Sequence, residues 1–283
     1  GGGRAGTGRI MSSSVRAILY DMAGTLRRRQ RPSPAEQLAH IQKIQEAIGS
    51  TAAAEDFHAL LLQRAEAYRQ WALREQVELN EGELWTKWML PDLPAAQIAP
   101  LAVELNQAWR AVNGIFTMFP ETPGTILALC RRGYRIGLVS NTTSSVEAPR
   151  ALEELQIAGC FDAVVLSCVV GMRKPGAEIL LEATRRMGVD PSHCAYIGDR
   201  SDRDVAAARA AGFACTVIHR DPQNLHMPVD DPDLQPAHVI DRLDQLLDIF
   251  PEPSAAGRKV AEVPCYDASL STMWGMKKFA GLE

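Results

Sequence analysis

Two carboxylates, a hydroxyl, an amide and an ammonium stand at or just beyond the ends of apolar runs in this 283-residue chain. Asp21 follows Val15-Arg-Ala-Ile-Leu-Tyr20 and opens a turn, Asp21-Met-Ala-Gly-Thr-Leu26. Ser140 and Asn141 close the run Arg135-Ile-Gly-Leu-Val139, and Asp199 closes Cys194-Ala-Tyr-Ile-Gly198, with Asp204 five residues further on. Lys174 lies in Gly171-Met-Arg-Lys-Pro175. An aspartate on a turn of this kind has the look of a nucleophile. Carboxylates suit a hard cation such as Mg2+, while an ammonium, a hydroxyl and backbone N–H groups at a helix start suit a phosphate. Acids gathered at a strand end repel one another unless a cation holds them. Taken singly, each element has a plainer reading: an ordinary turn, a helix cap, a surface lysine before a proline. Their common order along one alternating pattern is harder to explain by packing.

That pattern is one of short apolar strands separated by helices. Strands are expected over 15–20, 135–139, 163–167, 194–198 and 214–218, with a short one at 238–240. Helices are expected between them, ending at Gly133, Gly188 and Gly212. This alternation predicts an α/β fold, a Rossmann-like parallel sheet with helices on both faces, and ligands held beyond the carboxyl ends of the strands. Between Ser33 and Gly114 the period is helical, as in Leu38, Ile41, Ile44 and Ile48, so an inserted all-helical domain is expected there. The expected division is a flexible extension over 1–14, a core over 15–31 and 115–250, a helical cap over 32–114, and a linker and tail over 251–283. Tyr68, Trp71, Trp85, Trp88 and Trp109 fall at helical spacing and are expected in the insert's own core, although such rings also line pockets.

Composition narrows the class further. Hydrophobic residues at 46% and charged residues at 23% fit a globular protein. A formal net charge of −4 gives no reason to expect nucleic acid or an anionic membrane as partner. The basic run Arg27-Arg-Arg-Gln-Arg31 is expected to be a solvated linker. Six cysteines without a Cys-x-x-Cys pair or a Cys/His cluster read as small hydrophobes of a reduced, cytoplasmic protein without structural zinc.

These residues bring a family into view. Over 15–250 the chain resembles the haloacid dehalogenase-like (HAD) hydrolases, on the strength of Asp21-Met-Ala-Gly-Thr-Leu26, Leu138-Val-Ser-Asn141, Arg173-Lys174-Pro175 and Ile197-Gly-Asp-Arg-Ser-Asp-Arg-Asp204. The family's helical cap, in its C1 subgroup, falls where the helical insert lies here. The resemblance implies a hydrolase of a small phosphorylated metabolite in which Asp21 takes up a phosphoryl group. It implies Mg2+ held by Asp21, the backbone carbonyl of Ala23, Asp199 and Asp204. Ser140, Asn141 and Lys174 would neutralise the phosphoryl oxygens, and Thr25 would order the first loop. Lys174 thus enters as both a catalytic and a substrate-binding residue. Such assistance by charge and position suits phosphoryl transfer.

The chain departs from the family pattern at Ala23. In the family's phosphatases this position carries an acid that protonates the leaving oxygen and then activates water. Losing a general acid–base is worth ~10²–10⁴-fold, which penalises alkyl phosphates and matters less for acyl, aryl or enol phosphates. Phosphonoacetaldehyde hydrolase shares Asp-x-Ala-Gly-Thr and cleaves a carbon–phosphorus bond through a cap lysine. The insert here offers only Lys43 and Lys87, neither in a matching stretch. His40, His58, Glu83 and Lys87 are candidates for a replacement acid that sequence alone does not place. A catalytically weak binding or regulatory module is the reading from another class. The tail stretch Cys265-Tyr-Asp-Ala-Ser-Leu-Ser-Thr-Met-Trp274 resembles the first strand of sugar phosphate isomerase/epimerase barrels.

Overall fold

A computed structural model of the chain describes residues 14–223 and 230–252. The expected N-terminal extension, apart from Ser14, and the barrel-like tail stretch lie outside them. The first strand, β1 (Ala17–Tyr20), leads through a turn into β2 (Arg27–Gln30). The insert follows with α1 (Pro34–Ile48), α2 (Ala54–Glu75), α3 (Glu81–Leu84), α4 (Ala95–Ile98) and α5 (Ala102–Asn113). The chain returns through β3 (Ile115–Met118) and then alternates: α6 (Thr122–Arg131), β4 (Arg135–Ser140), α7 (Glu147–Glu154), β5 (Phe161–Leu166). The last part comprises α8 (Ser167–Val170), α9 (Glu178–Met187), β6 (Cys194–Gly198) and α10 (Ala206–Ala210), then β7 (Cys215–His219), β8 (His238–Ile240) and α11 (Leu246–Ile249).

Six strands form one sheet in the order β5-β4-β1-β6-β7-β8, every neighbouring pair parallel. Parallel strands buried on both faces read as continuous apolar runs, and β1 and β6 are buried at every position. Successive side chains serve opposite layers. Ile18, Tyr20, Ile136, Leu138 and Ile197 join one apolar cluster, while Ala17, Leu19, Val139, Val165 and Tyr196 join another. The connections run outward from β1 in both directions, to β4 and β5 on one side and to β6, β7 and β8 on the other. The switch point, where such sheets bind ligands, therefore lies at the end of β1.

The insert packs around an apolar cluster of its own, built on Ile41, Ile44, Phe57, Leu61, Trp85, Leu105 and Trp109. Helix α1 starts on a capping box, with Ser33 and Glu36 bonding each other's backbone N–H, and ends at Gly49 in the left-handed conformation. The tryptophans Trp85 and Trp109 are core residues, and the Trp85 Nε1–H donates to Asn106 Oδ1 at 3.3 Å.

The basic run after the first turn is not a solvated linker. Arg27–Gln30 pairs antiparallel with Ile115–Met118, so the chain leaves the sheet and returns to it along one two-stranded ribbon. Arg27 is 5% exposed, lies 4.0 Å from the Phe116 ring centroid and pairs with Glu147 at 2.9 Å. Arg28 pairs with the buried Asp221 at 2.8 Å. Carboxylates contributed from distant parts of the chain make a strand of what composition alone marks as loop.

Trp85 joins the largest buried side chains of the insert to its polar boundary. Trp85→Ala is expected to lower the unfolding free energy by ~3–5 kcal/mol, as measured by urea denaturation; a loss below ~1 kcal/mol would show that the insert does not depend on this packing.

Candidate functional site

Three strand ends converge at the switch point. Asp21 follows β1, Ser140 ends β4 on one side, and Asp199 follows β6 on the other. Asp21 and Ser140 are held deep, each 3% exposed, as is Lys174 at 0%, while Asp199 is half-buried. One carboxylate oxygen from each of Asp21, Asp199 and Asp204 lies within 4.8 Å of the others. Three hard oxygen donors so grouped suit a divalent cation.

Two close approaches make this grouping possible. Gly24 has φ +84°, and a Cβ there would stand 2.1 Å from Asp199 Oδ2. A Cβ on Gly198 would stand 2.4 Å from the Asp204 Cβ. Both turns need glycine because a carboxylate occupies the space of the missing side chain. After Asp199 the chain makes a π-helical turn over Ser201–Val205. Widened turns of this kind recur at functional sites. This one returns Asp204 Oδ2 to the Asp199 and Arg200 N–H groups, at 3.2 and 3.1 Å.

Lys174 uses its ammonium fully. Its Nζ donates to Asp21 Oδ1 at 2.9 Å, to Asp204 Oδ1 at 2.8 Å and to the Tyr196 hydroxyl at 2.6 Å. That hydroxyl donates in turn to the Val139 carbonyl at 3.0 Å. Asn141 holds the lysine loop from the other side: its Nδ2 donates to the Lys174 carbonyl at 2.8 Å, and its Oδ1 accepts from the Lys174 N–H at 2.9 Å. The Asn141 amide thus positions Lys174 in this structure. Thr25 is fully buried, and its Oγ1 has no hydrogen-bond partner among the described residues.

Sequence reasoning gave no role to Arg203. Its Nη2 lies 2.6 Å from Asp21 Oδ2, 2.7 Å from Asp199 Oδ1 and 2.9 Å from Asp204 Oδ2. Burial acts to lower the Arg203 pKa, but the three carboxylates outweigh it and raise the pKa well above its ordinary value. For Asp204, burial pushes the carboxyl up, while Arg203 and Lys174 together hold it below the usual carboxylate range. An arginine inside an acidic run was the available signal. Tyr196, hidden in a strand of apolar neighbours, gave none.

The insert meets this site through polar groups. Glu78 is 4% exposed and accepts from Tyr68 Oη at 2.5 Å, from Ser167 Oγ at 3.2 Å and from Arg173 Nη1 at 3.2 Å. Burial raises its pKa against the opposing pull of Arg173, Tyr68 and Ser167, and through these partners it clasps two parts of the chain. Glu81 accepts from the Ser145 N–H and hydroxyl at 2.6 and 2.7 Å, and Asn106 Nδ2 donates to the Thr143 carbonyl at 2.7 Å. Beside these contacts lies a cavity of about 260 Å³, bordered by Tyr68, Arg69, Trp109, Arg110, Asn141 and Arg173 among others. The candidate acids and bases of the insert lie elsewhere. His40 and Lys43 border a different cavity with Glu104, Lys87 pairs with Glu83 at 2.6 Å on the surface, and His58 packs edge-on to Trp109.

Asp204→Asn is expected to cost ~3–5 kcal/mol at neutral pH, because it leaves buried cations short of a partner. The folded pKa of Asp204 lies below its unfolded value, so its contribution is present above about pH 4 and is lost as pH falls through the folded value. The gap in unfolding free energy between wild type and variant, followed from pH 6 to pH 2, should therefore shrink with acid. A gap that stays constant would show that the charge of Asp204 is not what stabilises.

Comparisons with known proteins bear on the family and the fold. Residues 15–212 match the family described as haloacid dehalogenase-like hydrolase. A glyceraldehyde 3-phosphate phosphatase of Methanopyrus kandleri is 35% identical over 134 residues, which is 47% of this chain and 57% of that protein. A phosphoglycolate phosphatase of Shigella boydii is 33% identical over 156 residues, 54% of this chain and 59% of that protein. The chain thus spans little more than half the length of the curated relatives it matches. Among solved structures, a HAD phosphatase from Thermococcus onnurineus aligns at a TM-score of 0.55 and 22% identity, over 84% of this chain and 99% of that one. A 2-haloacid dehalogenase from Pseudomonas syringae aligns at 0.60 and 20% identity, over 83% and 98%. At these identities the likeness is one of fold. No helix among the described residues is long and apolar enough to cross a membrane.

Proposed function

The chain belongs to the haloacid dehalogenase-like hydrolases, and on that premise we propose that it is a Mg2+-dependent phosphatase of a small phosphorylated molecule, with Asp21 as nucleophile. The observation that carries this reading is the placement of Asp21 at the switch point, 2.9 Å from the Lys174 ammonium and grouped with Asp199 and Asp204. Asp21, Asp199 and Asp204, with the backbone carbonyl of Ala23, would hold the metal, which when bound supplies charge neutralisation for the phosphoryl oxygens. Names among the curated relatives, glyceraldehyde 3-phosphate phosphatase and phosphoglycolate phosphatase, point to the same reaction class.

The chain's own residues divide the work. An Asp21 carboxylate oxygen bonds to phosphorus as the ester P–O bond breaks, and the leaving oxygen departs with the electron pair. Lys174 holds the nucleophile by one oxygen and brings positive charge to the transferring group, with Ser140 at the neighbouring strand end. Water then attacks the phosphorus of the aspartyl-phosphate, releasing phosphate and restoring the carboxylate. No carboxylate stands at residue 23 to protonate the leaving oxygen, and none of the insert groups considered for that task lines the cavity beside Asn141. A substrate whose leaving oxygen is stable without a proton, such as an acyl, aryl or enol phosphate, meets this site best.

The boundary cavity supports an anionic substrate. Arg110 borders it and also two neighbouring cavities. Arg110 and Arg27 share the single carboxylate of Glu147, which leaves one positive charge in surplus. Carbon–phosphorus cleavage has less support, since Lys43 and Lys87 do not border the cavity.

A phosphatase panel with Mg2+ tests the reading. Asp21→Asn is expected to abolish turnover, and Ala23→Asp is expected to raise kcat on alkyl esters by up to ~10²-fold, the lower end of general-acid effects, with a smaller gain on acyl and aryl phosphates. Absence of turnover in wild type and in Ala23→Asp alike would overturn the phosphatase in favour of a binding module. Arg110→Gln is expected to raise KM about tenfold with kcat nearly unchanged, the signature of lost uniform binding; an unchanged KM would place the substrate elsewhere.

A further inference from the structure

Two cations neutralise the carboxylate cluster, and they do so differently. Lys174 is 0% exposed, and its three N–H groups meet three acceptors: Asp21, Asp204 and Tyr196. Donors and acceptors match, the group is walled in, and its loop is fixed by Asn141. Arg203 is the opposite case. Its Nη2 carries two hydrogens, yet carboxylate oxygens of Asp21, Asp199 and Asp204 crowd it at 2.6, 2.7 and 2.9 Å. Its Nε also donates to Asp204 Oδ1 at 3.1 Å, so the guanidinium grips Asp204 by two nitrogens while Nη2 faces more oxygens than its two hydrogens can serve. Its side chain is 21% exposed, so a path to solvent exists.

The same three residues are the carboxylate donors assigned above to the divalent cation. A cation ligated by one oxygen from each would sit among those oxygens at ~2.0–2.1 Å for Mg2+, where the Arg203 nitrogen now lies. The two are mutually exclusive by space and by charge. Three carboxylates against Lys174 and Arg203 leave one negative charge in surplus. Replacing the guanidinium by a divalent ion brings the cluster to neutrality.

We propose that Arg203 is a built-in counter-ion that exchanges with the divalent metal, so that metal entry and withdrawal of the Arg203 guanidinium from Asp21, Asp199 and Asp204 are one event. The inference rests on the metal reading of the preceding subsection. Its consequences are that the metal-free fold is stable with its acids paired, that Mg2+ affinity is lower than the three carboxylates would otherwise give, and that Asp21 Oδ2 is released from Arg203 only when metal arrives.

Calorimetric titration of the full chain with Mg2+ alone, without substrate, tests this. Arg203→Met is expected to bind Mg2+ at least tenfold more tightly than wild type. It is also expected to melt at a lower temperature than wild type in EDTA and to gain more in Tm from added Mg2+. Arg200→Met, which removes an arginine of the same loop paired with Asp202, should behave as wild type. Arg203→Lys keeps the charge with a shorter reach and guards against a variant that fails to fold without metal; its Mg2+ affinity should fall between the other two. In Arg203→Ala, guanidinium chloride at millimolar concentration should weaken Mg2+ binding where matched NaCl does not. Equal Mg2+ affinity in wild type, Arg203→Met and Arg203→Lys would overturn the exchange and leave the metal reading intact. Weaker binding in Arg203→Met would also overturn it, by making the arginine a support of the metal site. Failure of every variant and of wild type to bind Mg2+ would overturn both readings.

Discussion

Three carboxylates within 4.8 Å of one another are the constraint that much of the surrounding structure answers. At that separation, away from bulk water, like charges repel strongly, so the fold must bring positive charge to them and hold it there. Lys174 is buried for this reason. The chain supports it with Asn141 on its backbone and Tyr196 on its ammonium. The glycines at 24 and 198 let backbone approach the acids, and the π-helical turn after Asp199 sends Asp204 back toward the strand end. A sheet whose connections diverge at β1 gives this cluster its place, because the switch point leaves a crevice that neighbouring crossovers do not fill.

The insert is tied to the same crevice by a different kind of bond. Its interior is apolar and separate, whereas its ties to the core include the polar groups Glu81 and Asn106, on the loop after β4, and Glu78, on Ser167 and Arg173 after β5. Buried hydrogen bonds fix register and orientation, and leaving one partner unpaired is costly. Glu78 is the most exacting of them, since burial opposes its charge and raises its pKa while partners from both sides converge on it. The backbone reinforces the tie, with the Glu78 N–H donating to the Gly171 carbonyl at 3.2 Å, three residues before Lys174. Packing of the insert and placement of the lysine are therefore mechanically connected.

The chemistry proposed at Asp21 would be shaped by what residue 23 lacks. Metal ligation and nucleophilic attack need carboxylates and a carbonyl, which the turn retains, whereas proton donation needs a titratable side chain, which Ala23 is not. On the proposed reading the loss would select among substrates by the stability of the leaving oxygen, and it leaves the charge cluster intact.

The sheet was legible because a parallel strand buried on both faces has to be a short apolar run, and three of the helices between the runs stop beside Gly133, Gly188 and Gly212. The acids, the lysine and the missing acid were legible because each stands at a strand end or in a loop beside a glycine or proline. What sequence alone could not decide was which charges meet. Arg27-Arg-Arg-Gln-Arg31 reads as linker from composition, and becomes a strand because Glu147 and Asp221, far along the chain, neutralise two of its arginines. Asn141 reads as a phosphate ligand, and only the folded chain shows that its amide also holds the backbone of Lys174. Arg203 reads as one more charge in an acidic run, and only the folded turn aims it at three carboxylates drawn from two strand ends. Local pattern fixes where the backbone runs; charge pairing acts between residues remote in sequence, and the tertiary structure alone brings them within reach.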